Sequence, residues 1–152
     1  MMLSYEGIFF DEEEEKKIFS LEKKNLGIIN DRLHCTFKYH PTKEEIFNNL
    51  VGEYFDLYLI GYGNDNKNSA FMVTLPEELN KYYINYDTNN RLKVPHITVS
   101  LSEGARANDS KDLDFKALNE PIKVRGRFGY FIKDDGKEYV SFEPYLDYVK
   151  KL

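Results

Sequence analysis

Tryptophan is absent from this chain and cysteine occurs once, so no intramolecular disulfide framework exists and a reducing compartment suits the lone thiol. No apolar run approaches the roughly 18 residues that a membrane-spanning helix needs. The N-terminus lacks a basic segment followed by an apolar one, which argues against a secretory signal. The expected location is the cytoplasm, with no membrane partner. Basic residues are also in short supply, 21 Lys and Arg against 26 Asp and Glu, for a formal net charge of −5. A protein that grips long nucleic acid mainly through phosphates carries a basic surface. This balance favours a small phosphate ester or an RNA end, where a few local contacts suffice.

What is present is a folding core. Of 152 residues, 41 % are hydrophobic and 15 % aromatic, with 12 Tyr and 11 Phe, enough for one domain over residues 1–152. No linker or shift in composition divides them.

Tyr5 to Phe10 reads as a strand, and Asp11 caps a helix through about Lys24, with acidic residues in the first turn where the helix dipole favours them. A connector over 25–32 leads to a strand over 33–39. Tyr54 to Tyr62 and Ala70 to Leu75 form a hairpin across the turn residues 63–69. Pro76 opens a short helix. A polar loop over 85–93 precedes a second apolar strand, and 102–114 reads as a surface loop. Ile122 to Ile132 and Tyr139 to Phe142 flank Asp134-Asp135-Gly136, a second hairpin, and a short tail follows from Pro144. Several hairpins with few short helices give an α+β class with largely antiparallel sheet.

Two of these strands share a spelling: Leu33-His34-Cys35-Thr36-Phe37 and Pro95-His96-Ile97-Thr98-Val99-Ser100, with the histidines 62 positions apart. Side chains two apart on a strand point the same way. Alternation therefore predicts His34, Thr36 and Lys38 on one face, with Leu33, Cys35, Phe37 and Tyr39 on the other. His96, Thr98 and Ser100 share a face backed by Ile97, Val99 and Leu101. A third match, His40-Pro41-Thr42, is set aside, because Pro41 ends a strand and Thr42 with Glu45 spells a capping box.

Breaking a phosphodiester requires deprotonating a nucleophile, protonating a leaving oxygen and stabilising charge on the phosphoryl oxygens. Histidine serves both proton transfers near neutral pH. Hydroxyls of Thr36 and Thr98 can donate to non-bridging oxygens. Ser100 and Lys38 are further candidates for the phosphate, Tyr5 is a candidate base-stacking ring, and Arg106 is a candidate anion contact. Cys35 points away from this face.

Paired His-x-Thr strands about sixty residues apart resemble the 2H phosphoesterase superfamily. The run His96-Ile97-Thr98-Val99-Ser100-Leu101-Ser102-Glu103-Gly104, followed by Asn108-Asp109-Ser110, is similar to the RNA-repair-like branch related to tRNA ligase cyclic phosphodiesterase domains. The resemblance implies a bilobal α+β fold of two pseudo-symmetric antiparallel lobes, helices outside, with both motifs facing a central cleft. It implies His34 and His96 as the acid/base pair and Thr36 and Thr98 as phosphate holders, with no metal and no cofactor.

The leading expectation is a metal-independent phosphodiesterase acting on a 2′,3′-cyclic phosphate, at an RNA end or on a nucleotide, with no obligate protein partner. One alternative keeps the chemistry and takes a cyclic oligonucleotide signal, as phage anti-defence members of that superfamily do. Another is a nucleotide- or RNA-end-binding module without turnover. A metal-dependent hydrolase is disfavoured, because no carboxylate or cysteine stands at a familiar ligand spacing around either histidine.

Overall fold

Strong period-two alternation of apolar residues makes strand the main regular structure of this chain. The structure is a computed structural model and describes residues 1–29, 32–83 and 94–146. The strands are β1 (Met2–Phe9), β2 (Ile28–Ile29), β3 (His34–Tyr39), β4 (Tyr54–Asn64), β5 (Asn68–Thr74), β6 (His96–Leu101), β7 (Lys116–Asp134) and β8 (Lys137–Ser141). Two helices, α1 (Glu12–Leu21) and α2 (Glu77–Asn80), complete an α+β architecture. The strands join antiparallel in the order β2-β6-β5-β4-β7-β1-β3, with β8 added to β7. Among the described residues no helix is long and apolar enough to cross a membrane.

The expected hairpins are present, and the second has a clear local cause. Asp135 and Gly136 adopt φ of 50° and 80°, the left-handed pair that a two-residue turn between twisted strands requires. Asp11 caps α1 by accepting from the Glu14 amide at 2.9 Å. The helix ends at Leu21, short of the expected Lys24, because Glu22 turns extended at φ −68° and ψ 129°. β7 runs further back than the expected Ile122 and passes through Pro121. The β4–β7 register slips there, from Leu59↔Ile122 to Gly61↔Ala117, so the missing proline N–H leaves no gap in the ladder. The Thr42 capping box forms, with the Thr42 amide donating to Glu45 Oε1 at 2.9 Å, but it opens only a 3-10 turn over Lys43–Glu45. The expected loop over 85–93 and the end of the tail from 147 lie outside the described residues.

One side of the sheet carries the core: Ile8, Phe10, Leu33, Cys35, Leu57, Ile97, Val99, Val124 and Phe128 are all fully buried in one cluster. Each such large side chain contributes roughly 1.5–3 kcal/mol by leaving water. β3 ends the strand order and β6 stands next to its other end, yet the two pack against each other. The curl that does this brings both histidine strands together.

Candidate active site

His34 is the first residue of β3 and His96 the first of β6, and both strands are six residues long. Each histidine sits where the chain enters its strand, so the carbonyl two residues upstream lies beside its ring. His34 Nδ1 donates to the Arg32 carbonyl at 2.7 Å, and His96 Nδ1 donates to the Val94 carbonyl at 2.9 Å. A carbonyl only accepts, so each neutral ring carries its proton on Nδ1 and keeps a lone pair on Nε2. Two separate strands thus hold histidine in the same tautomer by the same main-chain device.

The strands meet at Cys35, whose buried thiol receives the backbone N–H of His96. Burial lifts that thiol to about 12, so it is a packing group on the core side, as the alternation predicts. The histidines feel one another as well. Burial is the main cause that lowers His34 to about 4, and the charge of His96 and of Arg32 pushes the same way against the opposing carbonyl bond. His96 is also lowered, first by burial and then by the charge of Lys111, again against its carbonyl bond. In the free protein both rings are therefore neutral at pH 7.

The surroundings of the two rings differ. Tyr5 stands between His34 on β3 and Phe131 on β7, stacked on them at 4.7 and 4.9 Å. Protein rings flank Tyr5 on both sides, so it braces His34 and does not offer an open platform for a base. Its hydroxyl, 3.5 Å from His34 Nδ1, stays protonated because burial raises its pKa. Near His96 the contacts are polar. Thr98 Oγ1 is 2.8 Å from Ser110 Oγ and 3.2 Å from the Ala107 carbonyl, and Asn68 Nδ2 donates to Ser110 Oγ at 3.0 Å. Thr36 is hydrogen-bonded to Tyr39.

Two of the expected phosphate contacts are turned elsewhere. The β1–β3 register pairs Gly7 with Thr36 but Glu6 with Lys38 and Tyr5 with Tyr39, leaving Phe37 as a bulge. A bulge reverses the alternation beyond it. Tyr39 therefore joins the His34 side, and Lys38 turns toward Glu6 and pairs with Glu45 at 3.6 Å. Ser100 also lies beyond a bulge, at Val99, where the β5–β6 pairing slips from Ala70↔Thr98 to Ser69↔Ser100, and it is fully buried, donating to Glu22 Oε2 and accepting from the Leu26 amide at 3.1 Å. It ties the end of α1 to β6. Arg106 is exposed, and its carbonyl accepts from Asn68 at 2.8 Å.

Among the described residues, the cations whose charge reaches the histidines are Arg32 for His34 and Lys111 for His96. Neither was singled out by motif. Arg32 had a signal, since it stands two residues before His34, whereas Lys111 lies in a polar loop and reaches His96 only through the fold. Ser110 and Asn68 are also long-range finds, joined across 42 positions. Among the described residues, no three His, Cys, Asp or Glu side chains cluster as a metal site. His34 and Arg32 open onto a cavity of about 380 Å³ beside β8. Neither a protein-family model nor a curated protein sequence matches the chain.

Proposed function

We propose that this protein is a metal-independent phosphodiesterase hydrolysing a 2′,3′-cyclic phosphate, at an RNA end or on a nucleotide, with His34 and His96 as its acid/base pair. The observation that carries the reading is the matched pair of histidines, each locked by an upstream carbonyl with Nε2 unprotonated and each within the field of a described cation. One Nε2 accepts the proton of an attacking water as its oxygen bonds phosphorus. The other ring, as imidazolium, gives its proton to the ribose oxygen whose bond to phosphorus breaks. Either histidine fits either role. Thr36, Thr98, Arg32 and Lys111 stabilise the charge on the non-bridging oxygens.

Both rings are neutral when the site is empty, so the acid must gain its proton as substrate binds. The substrate phosphate supplies the charge that favours it, because an anion within a few ångströms raises a histidine pKa. The same proposal takes β3 and β6 as the facing strands of two pseudo-symmetric lobes with the cleft between them, supported by their equal lengths and matching histidine contacts. A single buried thiol supports a cytoplasmic setting.

The test is hydrolysis of 2′,3′-cyclic AMP in excess chelator. Wild type is expected to turn over, with kcat/KM falling by about 10² to 10⁴ in His34→Ala and in His96→Ala. An undiminished rate in either variant removes the two-histidine mechanism. Turnover of cyclic dinucleotides or trinucleotides alone would keep the chemistry and replace the substrate.

A further inference from the structure

Leading away from His34, three of the chain's five arginines gather on one strip of a protein whose net charge is −5. They interleave with rings. Arg32 and Arg127 both lie over Phe142, at 5.9 and 4.5 Å, and Arg127 and Arg125 both lie over Tyr54, at 5.3 Å each. The result is a ladder, Arg32, Phe142, Arg127, Tyr54, Arg125, and it starts at the residue whose carbonyl holds His34.

The sheet register explains the alignment. Tyr54 pairs with Arg127, Arg127 with Phe9, and Phe9 with His34, so one row crosses β4, β7, β1 and β3. Directly opposed residues share a face. Gly126, between the two arginines of β7, faces the core, where an added Cβ would overlap Ile8. The row therefore lies on the face away from the core. Three strand gaps at roughly 4.8 Å make it about 14 Å long.

The surface along this row is hollow. The cavity beside His34 shares Arg32 with a second one, which shares Tyr54 and Arg125 with a third of about 480 Å³ that reaches Tyr58. Tyr54 and Tyr58 are 54 % and 41 % exposed, on alternate positions of β4. Arg125 is paired with Asp56 at 3.8 Å, while among the described residues neither Arg32 nor Arg127 has a carboxylate partner. A guanidinium stacked on a ring still has N–H groups for a phosphate, which in Arg127 are the terminal nitrogens, because its Nε donates to the Gly52 carbonyl at 2.8 Å. Guanidiniums held along a trough by the rings they cover, with Tyr58 exposed at its far end, suit a single strand, with phosphates on the arginines and a base on the exposed ring.

We propose that this strip binds the single-stranded body of an RNA whose 3′ end lies at His34 and His96. The inference rests on the proposed activity and narrows its substrate class to a linear oligoribonucleotide. The trough leads outward from His34 and ends at exposed rings, which suits a linear chain.

The experiment is fluorescence anisotropy with a 5′-labelled hexaribonucleotide carrying a 3′-phosphate, competed by a nucleoside 3′-monophosphate and by a cyclic trinucleotide. The hexamer is expected to bind at least about tenfold tighter than the mononucleotide. Tyr54→Ala combined with Arg125→Gln should shrink that advantage to about twofold, with melting temperature verifying the fold. In Arg125→Gln alone, the slope of log K against log salt should drop by about 0.7, one single-strand phosphate contact. Equal affinity for hexamer and mononucleotide, an unchanged advantage in the double variant, or tighter binding of the cyclic trinucleotide would overturn the proposal. Hydrolysis of 2′,3′-cyclic AMP by wild type separates the two claims. Turnover without a length advantage defeats the strip alone, and a length advantage without turnover supports the strip and defeats the activity.

Discussion

Around His34 the neighbours are rings, with Tyr5 at 4.7 Å and Phe9 at 5.7 Å between centroids. Around His96 they are hydroxyls and an amide, through Thr98, Ser110 and Asn68. The same three-residue spelling thus lies in two different environments. Rings exclude water and depress the proton affinity of His34, while hydroxyls fix the direction of Thr98. Under the proposed chemistry, β3 tunes a proton-transfer group and β6 orients a phosphate contact. A repeated motif can be held in equivalent geometry while its two halves divide the supporting work.

The largest expected effect concerns proton uptake by His34. Its folded pKa is about 4 against an ordinary 6.5, so between those values the unfolded chain binds the proton and the folded one does not. The stability contributed is present above pH 6.5 and is lost as pH falls toward 4, up to about 3 kcal/mol. Glu6 acts with the opposite sign. Burial raises it to about 8, so its penalty grows as pH rises from the ordinary carboxylate range. Subtracting the stability–pH curve of His34→Gln from that of wild type, by urea denaturation, isolates the histidine. A flat difference from pH 4 to 6.5 would mean that the rings do not desolvate it.

Next in size is Tyr5→Ala, which opens the ring stack beside His34. Expected are a loss of about 10²-fold in kcat/KM from misplaced chemistry and a His34 titration midpoint, read by NMR, that moves up from about 4 toward 6.5. A midpoint that stays put would make Tyr5 a packing residue only. Gly7→Ala strikes the strand behind the motif. An added Cβ would overlap the Cys35 carbonyl oxygen and crowd the Thr36 backbone. The expected loss of stability is about 1–3 kcal/mol, read as a lower urea midpoint. The smallest effect belongs to the polar half. Ser110→Ala removes a partner of Thr98 and Asn68, and should raise KM about fivefold with kcat nearly unchanged. A loss in kcat instead would show that Thr98 acts only in the transition state.

The histidines and threonines were legible in the sequence because strand alternation is a local rule and both motifs lie on strongly alternating segments. It failed where a non-local event intervened. The bulge at Phe37 is set by pairing with β1, and it exchanged the faces of Lys38 and Tyr39. A like bulge at Val99 interrupts the alternation before Ser100, and Glu22 and Leu26 reach that hydroxyl from 78 and 74 positions away, which no spacing announces. Pro121 hid the first residues of β7, because proline reads as a stop unless the partner strand slips. Lys111, Asn68 and the arginine ladder depend on sheet order and so became visible only once the strands were paired.

The carbonyls that hold the two histidines belong to Arg32 and Val94, residues with nothing in common but a peptide group. Any amino acid at those positions would supply the same acceptor. The tautomer is therefore insulated from substitution at those two positions. Two rings oriented by the main chain keep their protons on Nδ1 whatever side chain stands two residues upstream.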